Sequence, residues 1–149
     1  MNKAIVFDID GVILSSEYIF REIFDLDLHG DDKWEHFYKR CNSNDTKLLP
    51  HIKEFIDMVN SVPETISIIA STSRSERCRQ GTIDLLSRYG IHFASIYMRA
   101  DEDYRPSEDV KKEHLTEIRK EYDILAFIDD EINNCRMAKD IGILALRRV

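Results

Sequence analysis

Two aspartates, Asp8 and Asp10, stand one residue apart where the apolar run of AIVFDIDG ends, and a second acidic pair, Asp129 and Asp130, ends the run LAFIDD far along the chain. Carboxylates confined to a small volume raise one another's pKa, so each pair asks for a cation or a shared proton. Asp8 is the first residue beyond its run, and Asp10, two residues on, points to the same side by strand periodicity. Once a metal neutralises both partners, Asp8 can attack phosphorus and carry the phosphoryl group as an aspartyl-phosphate that water then splits. Asp10 can protonate the leaving oxygen and afterwards take a proton from that water. The segment Thr72-Ser73-Arg74 and the ammonium of Lys111 supply a hydroxyl donor and positive charge for the remaining phosphoryl oxygens. No GxSxG elbow and no Ser/His or Cys/His pair in a comparable setting offers another nucleophile. Each acidic pair also has a plainer reading as a helix cap, Asp129-Asp130 for a helix beginning near Glu131.

These groups can meet only if the chain brings them together. Ala4–Phe7, Ile66–Ala70, Phe93–Met98, Ile124–Ile128 and Ile143–Leu146 are short, nearly continuous apolar runs of the kind that buried parallel strands require. Helical patterns lie between them: Leu85, Leu86 and Tyr89 before Gly90; Val110, Leu115, Ile118 and Tyr122 after Pro106-Ser107; and Ile132, Cys135, Ala138 and Ile141 before Gly142. The alternation predicts an α/β fold, a doubly wound, Rossmann-like and mainly parallel sheet of five strands with helices on both faces. The first crossover is longer than one return helix needs. It holds helical patterns around Tyr18–Leu26, around Trp34–Cys41, and at Ile52, Phe55, Ile56 and Val59. The single domain, 1–149, therefore carries a small helical flap over 15–48 at the sheet's edge. Every chemically suggestive group follows the C-terminal end of a predicted strand or opens the next helix, and in an open parallel sheet those ends form one crevice. Asp8, Asp10, Asp129 and Asp130 would there form an oxygen-rich cup suited to a hard divalent cation, Mg²⁺ above all.

This combination resembles the haloacid dehalogenase superfamily, whose pattern is DxDG[TV], a Thr or Ser after the second strand, a Lys, and a DD or GDxxxD pair. Here those are DIDGV, Thr72 in ASTSRSE, Lys111 in EDVKKE, and IDDEINN, in that order along nearly the whole chain. Within the superfamily, TSRSERCRQGTIDLLSRYGI, YMRADEDYRPSEDVKKEHL and FIDDEINNCRMAKDIGI look like the 3′-phosphatase domain of polynucleotide kinases and its stand-alone phage-type relatives. The resemblance implies Asp8 as nucleophile, Asp10 as acid and base, and Mg²⁺ held by the Asp8 side chain, the Asp10 carbonyl and the pair Asp129-Asp130. It also implies that Thr72 and Lys111 grip the phosphoryl group, with Arg74 beside the substrate, and that the substrate is a 3′-phosphorylated DNA or RNA end. Two positions depart from the pattern. Ser73 stands where a Gly is usual, which narrows the approach to the phosphate, and Ser107 stands where an acid often precedes the lysine by four, which removes an expected anchor for Lys111 or a nearby arginine. No GxxxxGK[ST] occurs, so the chain has no kinase half.

Composition narrows the alternatives. The 149 residues carry a net charge of −7, with 43% hydrophobic and 33% charged residues. That suits one globular domain and argues against binding nucleic acid by bulk attraction. The apolar runs are too short to cross a bilayer, and the N-terminus lacks a signal-peptide core, so a cytoplasmic protein with no membrane partner is expected. Cys41, Cys78 and Cys135 form no CxxC, and the five histidines show no metal-ligand spacing. Arg74, Arg77, Arg79, Arg99, Arg105, Arg147 and Arg148 form either a track for a polynucleotide backbone or solvated charge offset by Asp101, Glu102 and Asp103. Trp34, Phe37 and Tyr38 fit the flap's packing face better than a base-stacking platform. Lys112 competes with Lys111 for the cleft. A phosphatase of free nucleotides or other small esters is the alternative enzyme, and a receiver-like or inactive binding module the alternative class; a receiver would need its acceptor at the end of the third strand, where YMRAD has no acid directly after the run.

Overall fold

The computed structural model describes residues 1–15, 30–41 and 46–149. Along the chain run β1 (Asn2–Phe7), β2 (Leu14–Ser15), α1 (Gly30–Cys41), β3 (Lys47–Leu48), α2 (Ile52–Ser61), β4 (Ile66–Ser75), a 3-10 turn (Glu76–Cys78), α3 (Arg79–Arg88), β5 (Ser95–Arg99), α4 (Ser107–Ile118), β6 (Tyr122–Asp129), α5 (Ile132–Asp140) and β7 (Ala145–Arg147). The main sheet has the order β5-β4-β1-β6-β7, and every pairing in it is parallel. This is the α/β sheet the apolar runs predicted, with all five strands in place.

Period-2 alternation sorts the strand residues onto two cores. Ile5 and Phe7 of β1, Ile68 and Ala70 of β4 and Ile128 of β6 pack with α2 and α3 through Ile52, Ile56, Val59, Leu85 and Leu86. Ala4 and Val6, Ile69 and Phe127 turn to the opposite face, against Leu115 and Ile118 of α4 and Met137 and Ala138 of α5. A sheet buried on both faces has no solvent side, which is why its strands read as unbroken apolar runs.

β1 lies between β4 and β6, so the strand order reverses across it and the crevice opens beyond its carboxyl end. Three details differ from the sequence expectation. β4 does not stop at Ala70 but continues through Ser75, so Thr72, Ser73 and Arg74 lie inside a strand rather than after one. Between the pairs Ser71–Tyr97 and Ser75–Arg99, β4 advances four residues while β5 advances two. The extra length makes an irregularity that re-aims the side chains of this segment, as bulges beside active sites do. Tyr122 opens β6 instead of closing the preceding helix, and Ile132 is 43% exposed at the start of α5, whose buried face is Asn134, Met137 and Ala138.

A two-residue antiparallel pairing, Leu14–Leu48 and Ser15–Lys47, closes the base of the insertion after β1, and α1 lies within it. The pattern Tyr18–Leu26 falls outside the described residues, as do the side chains of Trp34, Phe37 and Tyr38. No helix among the described residues is long and apolar enough to cross a membrane.

Candidate active site

Asp8 continues the line of β1, its N–H donating to the Ile128 carbonyl at 2.9 Å. Ile9, Val12, Ile13 and Leu14 are fully buried, and the turn they anchor is closed by Leu14 N–H to the Ile9 carbonyl at 3.0 Å and Gly11 N–H to the Leu14 carbonyl at 2.9 Å. With Ile9 drawn into the core, Asp8 and Asp10 face the crevice on either side of it. Asp8, Asp129 and Asp130 each offer a carboxylate oxygen, and the three oxygens lie within 4.8 Å of one another. The carboxylate of Asp10 is directed elsewhere. Arg74, whose side chain is fully buried, donates from Nε and Nη2 to both of its oxygens at 2.8 Å, and from Nη1 to Thr82 Oγ1 at 3.1 Å.

Lys111 faces the cluster and Lys112 faces solvent. The Lys111 ammonium is 2.6 Å from Asp129 Oδ2 and 2.9 Å from Asp8 Oδ1, so the anchor missing at Ser107 is supplied by these two acids. Burial disfavours its charge, but the two carboxylates outweigh that and hold Lys111 protonated. Burial likewise pushes the Asp8 carboxyl well above the usual range; Lys111 opposes this, and Asp129 and Asp10 add to it. Asp130 is raised too, chiefly by burial and then by Asp129, against the opposing pull of its own backbone N–H and of Asp8. Three carboxyl groups therefore gather around one ammonium, a deficit of positive charge with all-oxygen donors that fits a hard divalent cation.

Residues not singled out by motif support the cluster. Asn134, 1% exposed, donates from Nδ2 to Asp129 Oδ2 at 3.1 Å and to Ser107 Oγ at 3.3 Å. Glu131 N–H caps the other Asp129 oxygen at 2.9 Å. Ser107 Oγ is in turn 2.7 Å from Ser73 Oγ, so the two departures from the family pattern touch each other and tie β4 to the start of α4. The other arginines on this edge are engaged as well. Arg79 pairs with Glu76, Arg147 and Arg148 donate to the Asp130 and Pro50 carbonyls, and Arg77 lies 3.6 Å from Asp101 and 3.9 Å from Glu35.

Behind the site, His114 Nε2 lies 3.2 Å from the Met98 carbonyl, which can only accept; the hydrogen therefore sits on Nε2, and Nδ1 accepts from the Ser71 hydroxyl at 2.9 Å. Burial, opposed by the Met98 carbonyl and reinforced by Lys111, lowers His114 to about 4. The unfolded imidazole takes a proton near 6.5 and the folded one resists until about 4. The stabilisation is complete above the first value and is lost as pH falls toward the second, about 3 kcal/mol in all. Urea midpoints of wild type and His114→Gln should converge between pH 7 and pH 4; parallel curves would place the titration elsewhere.

Asp8, Asp10, Thr72, Ser73, Arg74, Lys111 and Asp130 all line one cavity of about 830 Å³, together with Arg99, Ala100 and residues 102–107 on one wall and Ser15 and Glu35 of the flap segment. The family model of the polynucleotide kinase PNKP phosphatase domain matches residues 2–147. Among solved structures the chain is similar to one in the Pnkp1/Rnl/Hen1 RNA repair complex, at 21% identity and a TM-score of 0.77 over 99% of this chain and 42% of that one. It is also similar to a haloacid dehalogenase-like hydrolase from Streptococcus pneumoniae, at 19% identity and a TM-score of 0.68, covering 98% of this chain and 84% of that one. The class C acid phosphatase from Bacillus anthracis with tungstate bound shares 17% identity at a TM-score of 0.70, covering 95% and 62% of the respective chains. At these identities the likeness is one of fold. No curated protein sequence matches the chain.

Proposed function

The chain belongs to the PNKP phosphatase-domain family of the haloacid dehalogenase superfamily, and from that premise we propose that it hydrolyses phosphomonoesters with Mg²⁺ through an aspartyl-phosphate on Asp8, acting on the 3′-phosphate of a DNA or RNA end. The observation that carries the reading is the meeting of Asp8, Asp129 and Asp130 beside Lys111 on the floor of a cavity large enough for more than a phosphate.

An oxygen of Asp8 forms the new bond to phosphorus as the bond to the ester oxygen breaks. Asp10 gives that oxygen its proton and later takes one from the water that attacks the acyl phosphate. Both Asp10 oxygens are held by Arg74, so one of them must turn to the leaving group while the other keeps the guanidinium. Lys111, fixed between Asp8 and Asp129, orients the nucleophile and meets the charge that grows on the phosphoryl oxygens. Thr72, which already accepts the Arg74 N–H at 3.1 Å, has a hydroxyl hydrogen to give the same oxygens. The Asp8, Asp129 and Asp130 carboxylates, with the Asp10 carbonyl, would hold Mg²⁺, which when bound neutralises nucleophile and phosphate together. In this reading residues 1–149 form one phosphatase domain, with 15–48 as its flap. An intracellular site of action fits this substrate.

The similar chain of known structure is part of an RNA repair complex, which supports a polynucleotide end as substrate. Phosphate release from a 3′-phosphorylated oligonucleotide, its 5′-phosphorylated counterpart and a 3′-mononucleotide at equal concentration decides the matter. The 3′ end should be preferred over both by at least about tenfold, and excess chelator should stop release from all three. Faster hydrolysis of the mononucleotide would move the substrate to free nucleotides.

A further inference from the structure

The acids and Lys111 occupy the floor of the cavity, and the wall formed by residues 100–106 between β5 and α4 has no part in the chemistry described. Its sequence, ADEDYRP, is short and strongly charged and would be solvated if left alone. Instead it is tied down. Arg99 donates from Nη1 to the carbonyls of Asp103 and Arg105 at 2.9 and 2.6 Å, and from Nε to the Ser73 carbonyl on β4 at 3.2 Å. Asp103 accepts from the Arg105 guanidinium at 3.0 and 2.7 Å and from its backbone N–H at 3.1 Å. The side-chain bond from Arg105 is the main reason the Asp103 carboxyl falls to about 2. Between them Glu102 is held at a φ of 67°, in the left-handed region that a residue with a Cβ enters only under constraint.

This braced segment carries Tyr104 on the cavity wall with 70% of its surface exposed. Every other Phe or Tyr whose side chain is described packs in one of the two cores. A large ring kept out of the core by a rigid loop, beside a site for a phosphate ester, has the form of a surface for a flat partner. The rim nearby also carries Arg77, whose side chain is 44% exposed and makes only loose contacts with Asp101 and Glu35. A base next to the scissile phosphate would meet the ring, and a preceding phosphodiester would meet the guanidinium.

The geometry points to Tyr104 as the specificity residue that stacks on the nucleobase of the nucleotide carrying the scissile 3′-phosphate, a role that rests on the polynucleotide reading above. Because every base offers a π-face, the platform accepts any terminal base and distinguishes a nucleotide end from a phosphate ester without one.

The test crosses the protein with the substrate. Oligonucleotides ending in a 3′-phosphorylated nucleotide or a 3′-phosphorylated abasic sugar are given to wild type, Tyr104→Phe and Tyr104→Leu. Removal of the terminal base should raise KM about tenfold for wild type and Tyr104→Phe, with kcat little changed, and should leave Tyr104→Leu almost indifferent. An equal penalty for the missing base in Tyr104→Leu and wild type overturns the assignment, as does a penalty below about twofold in wild type alone. Failure of wild type to release phosphate from either 3′ end, with turnover of a small ester retained, overturns the polynucleotide reading itself and this inference with it.

Discussion

Asp8→Asn should lose phosphate release by about 10⁴-fold or more while the metal-free protein stays folded. The amide is nearly the same size and its Oδ1 can still accept the Ile9 N–H that Asp8 holds at 2.8 Å, while Lys111 keeps Asp129 at 2.6 Å. What disappears is the anionic oxygen that would bond to phosphorus. The substitution also removes an acid that burial and its neighbours hold well above its usual pKa. For a carboxyl raised in the folded state, the contribution to stability is full at low pH and is lost as pH rises through the folded value. The metal-free variant should therefore melt at the same temperature as wild type or higher at neutral pH, and its stability should decline less between pH 4 and pH 8. Initial rates of phosphate release with excess Mg²⁺, beside thermal melts in chelator, read both effects. A variant that keeps more than about a hundredth of the activity would place the nucleophile on another residue.

Gly11→Ala should be the most damaging change that removes no charged group. Gly11 has a φ of 83°, and a Cβ there would lie 2.2 Å from Asp130 Oδ2 and 2.5 Å from Asp130 Cγ. The backbone strain alone costs about 1–2 kcal/mol. The overlap is worse, because the turn from Ile9 to Leu14 is locked by buried side chains and the Asp130 carboxylate must give way. Swinging that carboxylate aside takes one oxygen out of the acidic cluster. The Mg²⁺ concentration for half-maximal activity should rise by about 10–100-fold, with part of the rate recovered at high metal. Mg²⁺ titrations of activity, with calorimetric titration of the protein by Mg²⁺ alone, measure this. An unchanged Mg²⁺ requirement would mean that Asp130 lies outside the metal site. The same measurement explains why the acidic pair of DIDG is followed by glycine.

Much of this is legible in the sequence. Two-sided burial makes a strand uniformly apolar, so the five strands could be read from short runs, and the acids stood out because they end two of those runs without a break. The end of β4 was not legible for the opposite reason. Residues Ser71 to Ser75 are polar, yet Ser71, Thr72 and Arg74 are buried, because hydrogen bonds to His114, to each other and to Asp10 replace the apolar contacts that mark a strand. The hairpin of β2 and β3 is two residues long on each side and leaves no alternation to detect. Lys111 and Lys112 are neighbours in a helix, and only the rotation set by Val110, Leu115 and Ile118 against the sheet decides which one enters the cleft.

Residue order alone thus determined the five strands of the main sheet, their alternation with helices, and the placing of acids, hydroxyl and lysine toward the carboxyl ends of those strands, since each of these depends on patterns within a few residues. Which groups touch was left to the tertiary structure: Arg74 with Asp10, Asn134 with Asp129, and Ser73 with Ser107. Those contacts depend on strand register, on a local irregularity in β4 and on helix rotation. All three are settled by packing between segments distant in the chain, where local sequence carries no signal.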